Sequence, residues 1–316
     1  MITNGARGAG LTVAMVGALA LSVTGCGSGG AGETAADGAI PVVASTDAWG
    51  SVLRAVGGDQ VSVTSVIDAS DGDPHSYEST ARDGLTFTDA ELVLYNGGGY
   101  DTFAGQLAGE ASDDTPVLNA VELSGHEDSG ESGDEHGHGH DGANEHVWYD
   151  IHTVETVADA VADALGKIRP AEAETFEANA EKFTKALGDI EAKLAAIGEH
   201  SPGAKVIVTE PVSHYLLAEA GLDDVTPVDF RDAIENETDV PVAAQAAVLR
   251  LVRSGDLAAV VNNPQTQTPV TEELVEAARK AEVDVVDITE TLPSGESSYL
   301  TWVGGQVDAL SAAVSR

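Results

Sequence analysis

The sequence predicts an α/β protein: two parallel-sheet lobes joined by one long rigid helix. Three observations carry that reading. Short apolar runs rich in valine and isoleucine recur in both halves of the 316-residue chain, bounded by turn residues. Segments with helical spacing alternate with them, the rhythm of a parallel sheet covered by helices. Between the halves lies one helical stretch of roughly 29 residues, about 43 Å long at 1.5 Å per residue, enough to span two lobes. Roughly 150 residues per domain suits two lobes, and 42% hydrophobic residues suffice for a full core.

The first lobe is expected over residues 40–169. "IPVVAS" (Ile40–Ser45) reads as a buried strand. "DAWGSVLRAVGG" reads as a helix, with Asp47 as N-cap and Gly57–Gly58 as its stop. "VSVTSVI" (Val61–Ile67) is a second strand, followed by the loop "DASDGDPHSYEST" (Asp68–Thr80), where four carboxylates surround His75. "AELVLYNGGG" (Ala90–Gly99) is a third strand running into a glycine turn. Residues 124–145, "SGHEDSGESGDEHGHGHDGANE", hold no apolar residue but Ala143 and read as a polar surface loop. "TVETVADAVADALGKI" is amphipathic, with Val154, Val157, Val161 and Leu165 on one face.

Pro170 opens the linking helix, 170–199, at a position where proline is well tolerated. Phe176, Phe183, Leu187, Ile190 and Leu194 keep its helical spacing. The second lobe is expected over 200–316. "KVIVTE" (Lys205–Glu210), "AAVVNN" (Ala258–Asn263) and "VDVVDITE" (Val283–Glu290) read as strands, and helices fit at Val240–Ser254, Thr271–Ala281 and Ser298–Ser315.

The N-terminus reads as an address. Arg7 is the only charge before residue 33, and Leu11–Val23 is apolar or small. About 20 residues are needed to span a bilayer, so this run reads as a signal-peptide core, with the signal over 1–25. "VTGC" (Val23–Cys26) resembles a bacterial lipobox, which makes Cys26 the lipidated first residue of the mature chain. Residues 26–39 follow as a flexible tether. Cys26 is the only cysteine, so neither a disulfide framework nor a thiolate metal site is available.

Fifteen basic residues against 53 acidic ones give a formal net charge of −38. That field repels nucleic acid and favours cations, although an acid-rich surface would give the same count. Nine histidines stand in this background. In "EHGHGHDG", His136, His138 and His140 alternate with glycine between Glu135 and Asp141, and His126 lies upstream in the same loop. Imidazoles suit zinc, copper and nickel, and glycine lets neighbouring rings reach one ion. His75, His146, Glu210 and Glu290 read as lying just beyond strand ends, where open α/β sheets bind ligands.

"DPHSYEST", "NEHVWYDIHTVETVADAVADAL", "VTEPVSHYLLAEAGL" and "VVDITETLPSGESSYLTWV" occur in that order. Together they resemble the cluster A-I solute-binding lipoproteins of bacterial ABC importers for zinc and manganese, over about Ile40 to Val314. The resemblance implies two α/β lobes joined by one rigid helix, with the metal held between them. Residue by residue, it makes His75 and His146 the two histidine ligands. Glu210 falls where the family has His or Glu, with His214 as a rival. Glu290 falls where the family usually has Asp, a departure that lengthens the side chain by one methylene. His152 is expected to support or cap, and His200 to lie on the surface.

Two imidazoles and two carboxylates fit Zn2+ or Mn2+. The His-rich loop points to Zn2+, because such loops mark the zinc members, with Mn2+ as the alternative. The expected role is capture and delivery rather than catalysis. The partners implied are the membrane permease and ATPase of an ABC importer, and the membrane itself through a lipid anchor. The chain is expected to be monomeric, extracytoplasmic and without nucleic-acid partners. A surface adhesin of the same fold is the other alternative. A metallohydrolase would need an open coordination position, and no H-E-x-x-H occurs. A carrier for an organic ligand would need an aromatic-lined cleft, and three Trp, six Tyr and five Phe are a thin supply.

Overall fold

The computed structural model describes residues 38–68, 74–126, 144–236 and 238–315. The signal segment, Cys26 and most of the tether lie outside the described residues, as do His136, His138 and His140.

The first lobe runs β1 (Ile40–Thr46), α1 (Asp47–Gly57), β2 (Val61–Ile67), α2 (Ala81–Thr88), β3 (Leu92–Tyr95), α3 (Thr102–Ala108), β4 (Val117–Asn119) and α4 (Ala120–Ser124). A 3-10 turn (Val147–Tyr149) then leads into α5 (Ile151–Ile168). The four strands form a parallel sheet in the order β2-β1-β3-β4. The second lobe runs β5 (Lys205–Val208), α7 (His214–Glu219), β6 (Asp223–Asp224), α8 (Val228–Glu235), α9 (Val242–Val252), β7 (Leu257–Asn262), α10 (Pro269–Lys280), β8 (Asp284–Asp287) and α11 (Tyr299–Val314). Its parallel sheet has the same pattern, β6-β5-β7-β8. In each sheet the chain order reverses beside the first strand, and the crevice over the strand ends there is where such sheets take ligands.

Between the lobes lies α6 (Ala173–His200). Its 28 residues make a rod of about 42 Å. Phe176, Ala180, Phe183, Leu187, Ile190, Leu194 and Ile197 are buried, spaced alternately four and three apart, so one stripe faces inward along its whole length. The central strands β1, β3, β5 and β7 are buried on both faces, as strands inside a parallel sheet are. Ile40, Val42 and Ala44 of β1 and Val206 and Val208 of β5 share one core with α5, α6 and α11. The alternate residues turn to private cores: Val43 with Phe87 and Phe103, and Ile207 with Phe230 and Leu274.

Several elements differ from expectation. Thr46, not Asp47, is the N-cap of α1, and Asp47 is its first helical residue. Gly58, at φ 53° and ψ −140°, turns the chain out of that helix in a positive-φ conformation that favours glycine. Pro170 opens a short 3-10 turn, Pro170–Glu172, and α6 begins after it. The third strand is shorter than its apolar run and ends at Tyr95, before the glycine turn. Among the described residues, no helix is long and apolar enough to cross a membrane.

Candidate metal centre

Three of the candidate residues leave strand ends. His75 lies beyond β2, Glu210 follows β5 after Thr209, and Glu290 follows β8. His146 does not: it sits on the connection that enters the Val147–Tyr149 turn, downstream of α4. The expectation that all four lie just past strands is corrected for that residue.

The fold brings these side chains to one cleft of about 680 Å3 lined from both lobes. His75 and His146 come from the first lobe, Glu210 and Glu290 from the second, and Glu145 joins them. Nε2 of His75 lies 3.4 Å from Oε1 of Glu145, and Nε2 of His146 lies 3.5 Å from Oε1 of Glu290. One donor atom each from His75, Glu145 and His146 falls within 4.8 Å of the others. Among the described residues that line it, none is lysine or arginine, whereas Glu235 and Asp239 add two carboxylates to the wall. The side chain of His75 is 39% exposed and that of His146 only 3%.

Burial without a counter-cation shapes the ionisation. Burial, with the charge of Glu290 adding to it, pushes the Glu210 carboxyl up to about 7 against the opposing influence of the Thr266 hydroxyl and the Asn263 amide. Asn263 donates to Oε2 of Glu210 at 2.6 Å. Burial likewise raises Glu145, against the pull of His146 and His75. For His146 burial alone would depress the imidazole; the hydrogen bond and charge of Glu290, with Glu145, outweigh it and hold the ring above its usual value.

Neighbouring groups fix the donors. Gln265 Oε1 accepts from the backbone N–H groups of Glu290 and Thr291 at 2.7 and 3.1 Å. Asn144 Oδ1 accepts from the backbone N–H of His146 and lies 2.9 Å from its Nδ1. Tyr100 presents its ring to His75 and His146, with centroids 5.0 and 6.0 Å away. Tyr149 joins the lobes: its hydroxyl donates to the carbonyl of Thr289, beside Glu290, and pairs with the Gln306 amide at 2.6 Å. Tyr299 donates to the carbonyl of Trp148 at 2.6 Å.

The other described histidines lie elsewhere. His126 does not line the cleft; its Nε2 meets Asp150 Oδ2 at 2.8 Å and its ring stacks on Tyr215 at 5.0 Å. His214 is exposed at the start of α7, and the cleft is lined by Glu210 rather than by its rival. His152 is 85% exposed beside Glu155, and His200 bonds the carbonyl of Ala196 at the end of α6. Glu145 and Asn144 are the residues that sequence reasoning missed. Their one signal was position, immediately before His146, within a run already crowded with acids.

The chain resembles known proteins over most of its length. The family model described as "Zinc-uptake complex component A periplasmic" matches residues 42–313. The manganese-binding lipoprotein MntA of Halalkalibacterium halodurans is 25% identical over 312 residues, covering 94% of this chain and 96% of that protein. The zinc-binding lipoprotein AdcA of Streptococcus pneumoniae is 28% identical over 202 residues, covering 60% of this chain and 39% of that protein. Among solved structures, one titled as the crystal structure of ZnuA superposes with a TM-score of 0.69 at 18% identity, covering 87% of this chain and 99% of that one. The solute-binding protein FpvC of Pseudomonas aeruginosa, solved with Mn2+, gives 0.68 at 20% identity, covering 87% and 98%.

Proposed function

The chain belongs to the zinc-uptake complex component A family, metal-binding components of ABC importers and not enzymes, and from that membership we propose that it captures one Zn2+ ion between its lobes and delivers it to a membrane permease and its ATPase. One observation supports the reading: imidazole and carboxylate groups from both lobes converge on one cleft whose described lining holds no lysine or arginine.

The donors proposed are His75, His146, Glu210 and Glu290. Two neutral imidazoles and two carboxylates cancel a divalent charge, so the ion and these four donors together carry no net charge. Zinc takes such donors tetrahedrally at about 2.0–2.2 Å. All four donors bind in their deprotonated form, so capture releases the proton that burial holds on Glu210. His136, His138 and His140, with His126 at the edge of the same segment, would raise the local zinc concentration near the cleft. Lipidated Cys26 would hold the protein outside the cytoplasm at the membrane, with residues 26–39 as its tether.

Mn2+ is the second reading, and Glu145 favours it. A third carboxylate beside the two rings adds an oxygen donor and a higher coordination number, which suits manganese better than zinc. The relative matched over most of both chains is named for manganese.

The test is metal content. The chain without residues 1–26 is dialysed against a mixture of metals and its bound metal counted. One zinc per chain, retained after deletion of residues 125–142, is expected. Its place in the cleft is tested with His146→Gln and Glu210→Gln combined: loss of the ion supports these donors, and full retention overturns them. Manganese in place of zinc would decide for the second reading.

A further inference from the structure

Asn144 makes more contacts to the proposed centre than any role in ion capture requires of it. Its Oδ1 takes the backbone N–H of His146 and faces Nδ1 of the same residue, both at 2.9 Å. Its Nδ2 donates to the carbonyl of Pro211, the residue after Glu210, at 3.1 Å. Its own carbonyl accepts from the Tyr215 hydroxyl at 2.7 Å. These partners leave one orientation for the amide. Turned over, its NH2 would face the backbone N–H of His146, and its oxygen would face the carbonyl of Pro211.

An amide oxygen only accepts. Its contact with Nδ1 therefore requires the proton on Nδ1, and a neutral imidazole carries one proton. In that neutral ring Nε2 is left with its lone pair, on the side that faces Glu290 at 3.5 Å; only the imidazolium can donate to both Asn144 and Glu290. Without Asn144, the opposite tautomer would gain: Nε2–H would point at the Glu290 carboxylate, and the proton would occupy the place of the ion. Orientation of a ligating imidazole through its second nitrogen is a general device of metal sites.

We propose that Asn144 is a positioning residue that holds His146 as the Nδ1–H tautomer and, through Pro211, ties that ring to the Glu210 segment of the other lobe. The proposal rests on the reading of His146 as a donor. It also gives the C-terminal root of the His-rich segment a task in the cleft, since Asn144 stands directly before Glu145 and His146.

The test combines ring-nitrogen NMR of the metal-free chain, labelled with 15N-histidine, at pH 9 with zinc affinity measured by chelator competition. His146 is assigned by its loss in His146→Gln. The unmutated chain is expected to show a protonated Nδ1 and a bare Nε2. Asn144→Ala is expected to move the proton toward Nε2 and to weaken zinc by about 10–100-fold. Asn144→Asp keeps an acceptor while losing the donor to Pro211, and is expected to retain the Nδ1–H signature. An unmutated chain protonated at Nε2 overturns the proposal without any variant. So does Asn144→Ala with an unchanged tautomer, or with a shifted one and affinity within twofold. Failure of the donor reading looks different: His146→Gln and Glu290→Gln would then leave zinc affinity intact, whatever the tautomer.

Discussion

Replacing Asp47 by asparagine is expected to stabilise the fold, and to do so more at neutral than at acid pH. Asp47 begins α1, is 7% exposed, and accepts from the backbone N–H of Leu292 in the other lobe at 3.2 Å. Burial pushes its carboxyl from 3.8 up to about 6, against the opposing pull of the Leu292 and Ala48 backbone donors and of Arg54. A carboxyl with a folded pKa above its unfolded value binds its proton more tightly in the folded chain. Its stabilising contribution is full below about pH 4 and is lost as pH rises through 6. The complete loss is about 3 kcal/mol, at about 1.36 kcal/mol per tenfold change in proton affinity. The amide of Asp47→Asn keeps an oxygen for Leu292 and has no proton to lose. Its advantage over the parent should therefore be about 1.5 kcal/mol at pH 5 and about 3 kcal/mol at pH 7.5. Urea unfolding of both chains with chelator present, followed by tryptophan fluorescence from pH 5 to 8, measures the difference and cancels the titration of every other carboxylate. An advantage that stays constant with pH, or grows toward acid, refutes the reasoning.

Two further outcomes follow from the same geometry. Glu145→Gln removes the carboxylate between the two rings and should weaken Mn2+ by about tenfold or more while costing Zn2+ less, read by competition with a metal-sensitive dye. Equal losses for both ions would show that Glu145 acts only through its charge. Tyr149→Phe strips a buried hydroxyl from Thr289 and Gln306 and should cost about 1–3 kcal/mol in urea unfolding. An unchanged midpoint would mean that the contact between the lobes adds nothing to stability.

The parts of the fold legible in the sequence are those whose pattern repeats long enough to be distinctive. Val61–Ile67 is a strand over the range that its apolar run marks, and the stripe from Phe176 to Leu194 marks the long helix. The elements that escaped are short or weakly patterned. β4 has three residues, none of them buried, and Ala81–Thr88 buries only Phe87. Partners remote in sequence were equally hidden. Asp47 has the look of a helix cap because local spacing suggests it, but its side chain is claimed by Leu292, 245 residues away. The four candidate donors could be picked out as loop residues in recognisable contexts. Glu145 could not, because its distinction is a position 3.4 Å from His75, and in the sequence it is one acid among 53.

If the proposed donors take the ion, their graded exposure would set an order of events. His75 is the outermost at 39%, Glu145 follows at 16%, Glu290 at 8%, and His146 is innermost at 3%. A hydrated ion taken by these groups would meet the outer imidazole while still carrying most of its water, and would shed that shell step by step on the way down. On the proposed reading, the speed of arrival would then be decided at the lip of the groove, and the speed of departure at its floor.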